Sequence, residues 1–170
     1  MRLAPPRLVA LSPGTLERGG RAGFLAALAA ALDAGLPGLL LREPGLSDRA
    51  LLALGAEVGA LRARSPFWFA LHDRAHLVAA LDAQALHLSF RSLAPQSARA
   101  ALAPGVTLGL STHADDERAG WRGVDYLFHG PLHATPSKAG RLAPVGFEGL
   151  AAAVADAPSP LFALGGVRPE

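Results

Sequence analysis

The sequence predicts an α/β chain in which strands and helices alternate and the strands lie parallel. Seven short apolar runs recur along the 170 residues, each bounded by Gly, Pro or a polar residue. Ala- and Leu-rich stretches with helical spacing separate them, so strand starts fall roughly 20 to 35 residues apart, the length of a βα unit. The runs are continuous rather than alternating, which suits strands buried on both faces.

In order, the run at 8–11 precedes a helix whose face is Phe24, Leu25, Leu28 and Leu32. Gly38–Leu41 precedes a second helix carrying Leu51, Leu52, Leu54, Val58 and Leu61, with Ser47 placed to cap its N-terminus. The run at 67–71 leads to a third helix marked by Leu77, Val78 and Leu81, and 85–90 to a fourth at 93–102. After 107–110 a fifth helix is expected at 114–121, opened by Asp115, Asp116 and Glu117, which suit the positive end of a helix. The run at 125–128, a sixth helix at 147–154 and the run at 161–164 complete the pattern. Strict alternation implies right-handed parallel crossovers, as an open doubly wound sheet or a (β/α) barrel.

Almost every run ends in a polar or small residue. These are Ser12; Arg42 and Glu43; His72, Asp73 and Arg74; Ser89 and Arg91; Ser111 and His113; His129 and His133; and Gly165 with Gly166. Groups supplied by all strands at one edge converge in a barrel, whereas an open sheet gathers its site at one switch point. A barrel is therefore expected, as one domain over residues 1–170. A typical barrel needs about 250 residues, and the sequence ends at Glu170, where a helix after the seventh strand should begin. A shortened barrel lacking its last βα unit, rather than a true seven-strand fold, is the expectation.

Composition narrows the function classes. With 51% hydrophobic residues, including 36 Ala and 31 Leu, a disordered chain is excluded. The absence of Cys removes any disulfide framework or thiolate metal site. The longest apolar run, 24–32, falls well short of the ~20 residues that span a bilayer, and Pro5 and Pro6 interrupt the place where a signal peptide needs an apolar core. A cytoplasmic protein with no membrane partner is expected. The pI near 9.9 arises because 15 of 16 cations are Arg, yet the net charge is only +2 and the arginines are scattered singly from Arg2 to Arg168. Nucleic acid is not an expected partner.

Several residue types point to chemistry. His113 follows the fifth strand run, and an imidazole with its ordinary pKa near ~6.5 can take or give a proton at neutral pH; the plainer alternative is a bond to a backbone carbonyl or a helix cap. Lys138 is the only lysine, on a loop with Thr135 and Ser137, and a point charge there suits a phosphate or carboxylate. Gly165 and Gly166 would let backbone N–H groups approach a phosphate, or simply form a turn. Arg42 could pair with a substrate anion or with Glu43 or Asp73. His72 and His76, and His129 and His133, have a four-residue spacing that makes a metal pair only on one helical face. The first pair begins at a strand end and the second straddles Gly130-Pro131 in an expected loop, so no metal site is expected. His87 reads as an interior residue.

His72-Asp73-Arg74, Leu86-His87-Leu88, Leu108-Gly109-Leu110-Ser111-Thr112-His113, Asp125-Tyr126, Gly130-Pro131, Thr135-Pro136-Ser137-Lys138 and Ala163-Leu164-Gly165-Gly166-Val167 occur in order. Together they resemble the thiamine phosphate synthase and TenI superfamily, over essentially the whole chain. The resemblance implies a TIM (β/α)8 barrel of the thiamine phosphate synthase type. It also implies one of two activities on a phosphorylated thiazole. The synthases join it to hydroxymethylpyrimidine diphosphate with Mg²⁺ held by two aspartates, and TenI-like tautomerases aromatise a carboxythiazole phosphate by moving a proton.

Against the synthase pattern, Ser92 stands at one Mg²⁺ ligand, Phe90 at a Gln, His72 at an Asn and Pro44 at a Lys. A site left with Asp73 alone should hold Mg²⁺ poorly. The expected function is therefore a cofactor-independent thiazole tautomerase with His113 as the acid/base. Arg42, Asp73, Ser111, Thr135, Ser137, Lys138, Gly165 and Gly166 are its expected substrate contacts. A Mg²⁺-dependent synthase and a non-catalytic thiazole-phosphate-binding regulator are the alternatives, and the resemblance leaves a homo-oligomer open.

Overall fold

The computed structural model describes residues 3–89, 91–135 and 142–167. The chain packs as two compact units, Met1–His87 with Ala101–Thr107, and Leu88–Ala100 with Leu108–Glu170.

In the first unit, β1 (Ala10–Leu11) pairs in parallel with β2 (Gly38–Leu41), β2 with β3 (Trp68–His72) and β3 with β4 (Ala85–Leu88). Leu39, Leu40, Leu41, Phe69, Ala70, Leu71, Ala85 and Leu86 are all buried, which is why these strands read as unbroken apolar runs. Helix α1 (Arg21–Asp33) buries Leu28 and Leu32, and α2 (Asp48–Arg64) buries Leu51, Leu54 and Val58. Ser47 caps α2 as expected, its hydroxyl accepting from Ala50 N at 3.3 Å. Gly55 of α2 lies so close to Leu81 that a Cβ there would sit 2.3 Å from its Cδ2.

The third expected helix is a single 3₁₀ turn, Ala75–Leu77. Asp82 adopts left-handed backbone (φ 48°) and Ala83 N turns back to Val78 O at 3.0 Å, which closes the segment before a helix can extend. Leu77 and Val78 are buried nonetheless, so their spacing reported burial and not helix length.

In the second unit, β5 (Thr107–Thr112) pairs in parallel with β6 (Tyr126–His129), and β6 with β7 (Leu161–Ala163). Gly109 is set opposite Tyr126, whose ring occupies the space of a side chain: a Cβ on Gly109 would lie 2.1 Å from Cζ. The fourth and sixth expected helices are α3 (Pro95–Ala101) and α4 (Gly146–Asp156). The fifth is only a 3₁₀ turn, Arg118–Trp121. Asp116 turns back to accept from His113 N at 2.6 Å instead of capping a helix, and Trp121 is buried. His129, expected at the end of a strand run, is the last residue of β6 and is buried. Among the described residues no helix is long and apolar enough to cross a membrane.

Candidate active site

At the strand ends of the first unit most polar groups are tied to the fold. Glu43, just after β2 and 3% exposed, accepts from Gly14 N at 2.8 Å and Leu16 N at 2.9 Å, one with each oxygen. Ser12 accepts from Arg42 N at 2.8 Å. Arg74 reaches the Asp48 carboxylate and the Leu46 carbonyl, and His76 Nε2 lies 2.7 Å from Asp48. Those two hydrogen bonds, His76 first, hold the Asp48 carboxyl below its ordinary value. His76 is thus committed to Asp48, away from any pairing with His72.

Asp73 follows β3, with His72 Nδ1 3.2 Å from its carboxylate. Glu43, Pro44, Leu51, His72, Asp73 and Arg74 line a cavity of about 150 Å³. His87, in register with His72, is completely buried as expected; burial first, then the neighbouring His72, pulls it down to about 3. Arg42 differs from its neighbours. Its side chain is exposed, its guanidinium lies against Gly14, and it pairs with neither Glu43 nor Asp73.

The second unit presents a different arrangement. His113 follows β5, and its Nδ1 lies 2.6 Å from Gly130 O. A carbonyl only accepts, so Nδ1 carries the proton and the neutral ring keeps its lone pair on Nε2. Nε2 has no hydrogen-bond partner among the described residues. Both readings of His113 thus meet in one ring, a carbonyl bond on one nitrogen and an open base on the other.

Gly130 is fixed from two sides. Gly130 N donates to Thr112 O, and a Cβ on Gly130 would fall 2.0 Å from Leu164 O. The loop after β7 docks on the loop after β6 through Leu132 N to Leu164 O and His133 N to Gly165 O. Gly165 (φ 93°) and Gly166 (φ 71°) are left-handed, and Cβ atoms there would strike Pro131 and His133 at 2.9 and 2.7 Å. Their own N–H groups make no hydrogen bond among the described residues. Thr135 is half-buried with its methyl near Gly165. Ser111 sits within β5 opposite Phe128, and Ser137 and Lys138 lie outside the described residues.

Sequence reasoning places His129 at a strand-run end but weighs it only as a metal partner of His133, so its role here was missed. Its Nδ1 lies 2.9 Å from Thr112 Oγ1, and burial, then Arg118 and His113, lowers its pKa. The one available signal was a polar residue directly continuing an apolar strand run.

The model of the thiamine monophosphate synthase family matches residues 9–170. The chain belongs to that family. The chain is 34% identical over 158 residues to the thiamine-phosphate synthase of Moorella thermoacetica, covering 92% of this chain and 75% of that one. With the thiamine-phosphate synthase of Mycobacterium bovis it is 37% identical, over 99% of this chain and 80% of that one. The thiamine phosphate pyrophosphorylase from Pyrococcus furiosus matches with a TM-score of 0.78 at 24% identity, over 95% of this chain and 76% of that one. That likeness shows the fold: α/β, of the thiamine phosphate synthase type.

The Mg²⁺ implied for this thiamine monophosphate synthase family finds a poor donor set here. Where the resemblance puts a second aspartate stands Ser92, a neutral hydroxyl bonded to Ser89 N at 2.6 Å. Glu43, the other carboxylate lining the Asp73 cavity, has both oxygens on backbone amides. A hard cation wants several charged oxygens, and Asp73, drawn to His72, is one. Among the described residues no three His, Asp or Glu side chains come together as metal ligands.

Proposed function

We propose that this chain is a transferase of the thiamine-phosphate synthase kind, acting in thiamine biosynthesis on a thiazole phosphate and hydroxymethylpyrimidine diphosphate. The observation that carries the reading is the end of β7, where Gly165 and Gly166 hold two successive amides in left-handed backbone, with no hydrogen bond among the described residues. Such amides suit a phosphate monoester. The shared name of the Moorella and Mycobacterium relatives supports the coupling reaction.

In that reaction the thiazole nitrogen bonds to the pyrimidine methylene carbon as its C–O bond to the diphosphate breaks and pyrophosphate leaves. The thiazole phosphate sits on Gly165 and Gly166, with Ser111, Thr135, Ser137 and Lys138 as further contacts. In the first unit, the exposed guanidinium of Arg42 suits diphosphate charge and Asp73 is a further proposed substrate contact. No step is assigned to Mg²⁺.

A second reading, the thiazole tautomerase, is favoured by His113. With Nδ1 committed to Gly130 O, Nε2 is the open base for removing a proton from the thiazole C2, and the resulting imidazolium returns one to the exocyclic carbon.

The test runs both reactions on the same protein. One arm follows thiamine phosphate and pyrophosphate from the two substrates, with and without Mg²⁺. The other follows the carboxythiazole phosphate tautomer alone by ¹H NMR. Coupling is the expected result; tautomer conversion without coupling would replace the transferase reading by the second. Ligand binding with neither reaction faster than buffer would sink both and leave a binding protein.

A further inference from the structure

We propose that His129 is a positioning residue for His113, fixing its tautomer and orientation from the neighbouring strand so that Nε2 is the atom offered to the substrate. The inference rests on the second reading above, in which His113 Nε2 is the base offered to the substrate.

The geometry is a short clamp across β5 and β6. Thr112 and His129 are register partners, and His129 Nδ1 lies 2.9 Å from Thr112 Oγ1. The residue after Thr112 is His113, and the residue after His129 is Gly130, whose carbonyl takes the His113 Nδ1 proton. Thr112 Oγ1, which also donates to Phe128 O at 3.4 Å, thus ties the β6 end through His129 beside the two chain positions that make the tautomer-selecting bond. The main chain holds the same point: Gly130 N bonds Thr112 O at 3.2 Å, and Leu164 N bonds His129 O at 2.9 Å.

A phenyl or aliphatic side chain would fill this space equally well if packing were the whole role. A buried imidazole costs desolvation unless it makes a hydrogen bond, and Thr112 is its side-chain partner among the described residues. Behind it stands an aromatic wall. The Trp121 ring is 5.5 Å from the His129 ring, with the Arg118 guanidinium stacked 4.1 Å from Trp121. Trp121 Nε1 is buried with no partner among the described residues, so this wall offers His129 no second polar contact there. The nearby Arg118 cation also disfavours charging His129, which remains a neutral hydrogen-bonding group.

Three variants test the proposal on the full chain. His129→Phe keeps a ring against Trp121 and deletes the bond, while Thr112→Val deletes it from the other side with little change of volume. His129→Asn puts an amide near the Nδ1 position and can remake it. Long-range ¹H–¹⁵N correlation of the imidazoles at pH 8, with His113 assigned by loss of its signals in His113→Gln, reads the tautomer directly and needs no turnover. The expected result is one Nδ1-protonated tautomer in the wild type, a mixture in His129→Phe and Thr112→Val, and recovery in His129→Asn. In turnover of the carboxythiazole phosphate tautomer, kcat should fall about tenfold in the first two with KM within about twofold, as a misdirected base predicts.

A His113 tautomer unchanged in folded Thr112→Val, with kcat also unchanged, would overturn the proposal even if His129→Phe fails to fold. A tautomer that responds in a protein with neither activity would sustain the positioning role while the functional reading falls.

Discussion

The strand ends of the first unit and those of the second use similar residues in opposite ways. In the first, Glu43 holds two backbone amides, Arg74 and His76 converge on Asp48, and Ser12 holds Arg42 N. In the second, His113 Nε2 and the amides of Gly165 and Gly166 are left without partners among the described residues. A polar residue at a strand end is thus either a tie or a tool. The distinction lies in how many of its donors and acceptors the fold has already used. Arg42 marks the boundary, since its main chain is tied and its guanidinium is open.

This comparison can be broken at its strongest point with Glu43→Ala. Two largely buried N–H groups would lose their acceptor at about 1–3 kcal/mol each, so a loss on the order of 3 kcal/mol is expected in urea unfolding. A loss below about 0.5 kcal/mol would mean that Glu43 is not a structural tie.

His113→Ala is the counterpart in the second unit. Activity that uses His113 as its acid/base should drop at least about 10²-fold, with an unfolding midpoint close to wild type. A large stability loss with retained turnover would reverse the assignment.

Acid stability sharpens the contrast further. His87 sits at about 3 when folded against 6.5 as a free side chain. Between these values the unfolded chain binds a proton that the folded chain refuses, so stability is full above pH 6.5 and falls as the pH drops toward 3. The slope reaches at most about 1.4 kcal/mol per pH unit. Urea midpoints at pH 7.5 and 5.5 should separate less in His87→Phe than in wild type, and equal separation would remove His87 as the cause.

The smallest effect is expected from Arg42→Ala. Stability should stay within about 0.5 kcal/mol, while KM for the diphosphate substrate rises several-fold as a charge-assisted contact is lost. An unchanged KM would place Arg42 outside the site.

Much of the candidate site was legible because its residues lie where strands stop. His113 was found from the run it follows, and Gly165 and Gly166 from their place after the seventh run. Glu43 was visible as an edge residue, but its partners, Gly14 and Leu16, are too far along the chain for local pattern to reveal. The Gly130-Pro131 pair after His129 reads as a loop, and the bond from His129 to Thr112 depends on the β5–β6 register, which no local pattern carries. The segments around Leu77 and Trp121 read as helices from sequence because apolar spacing reports burial. Left-handed Asp82 closes the first segment, and the Asp116–His113 N bond stands where the second would need a helix start.

The amino-acid order alone determined the strand–helix alternation, the core strands and the polar groups at their ends, because burial on both strand faces and capping are local constraints written in consecutive residues. Only the tertiary structure decided which of those polar groups are consumed and which stay open. That outcome depends on partners brought near by strand register and loop packing, and a hydrogen bond is settled by distance in space, not by distance along the chain.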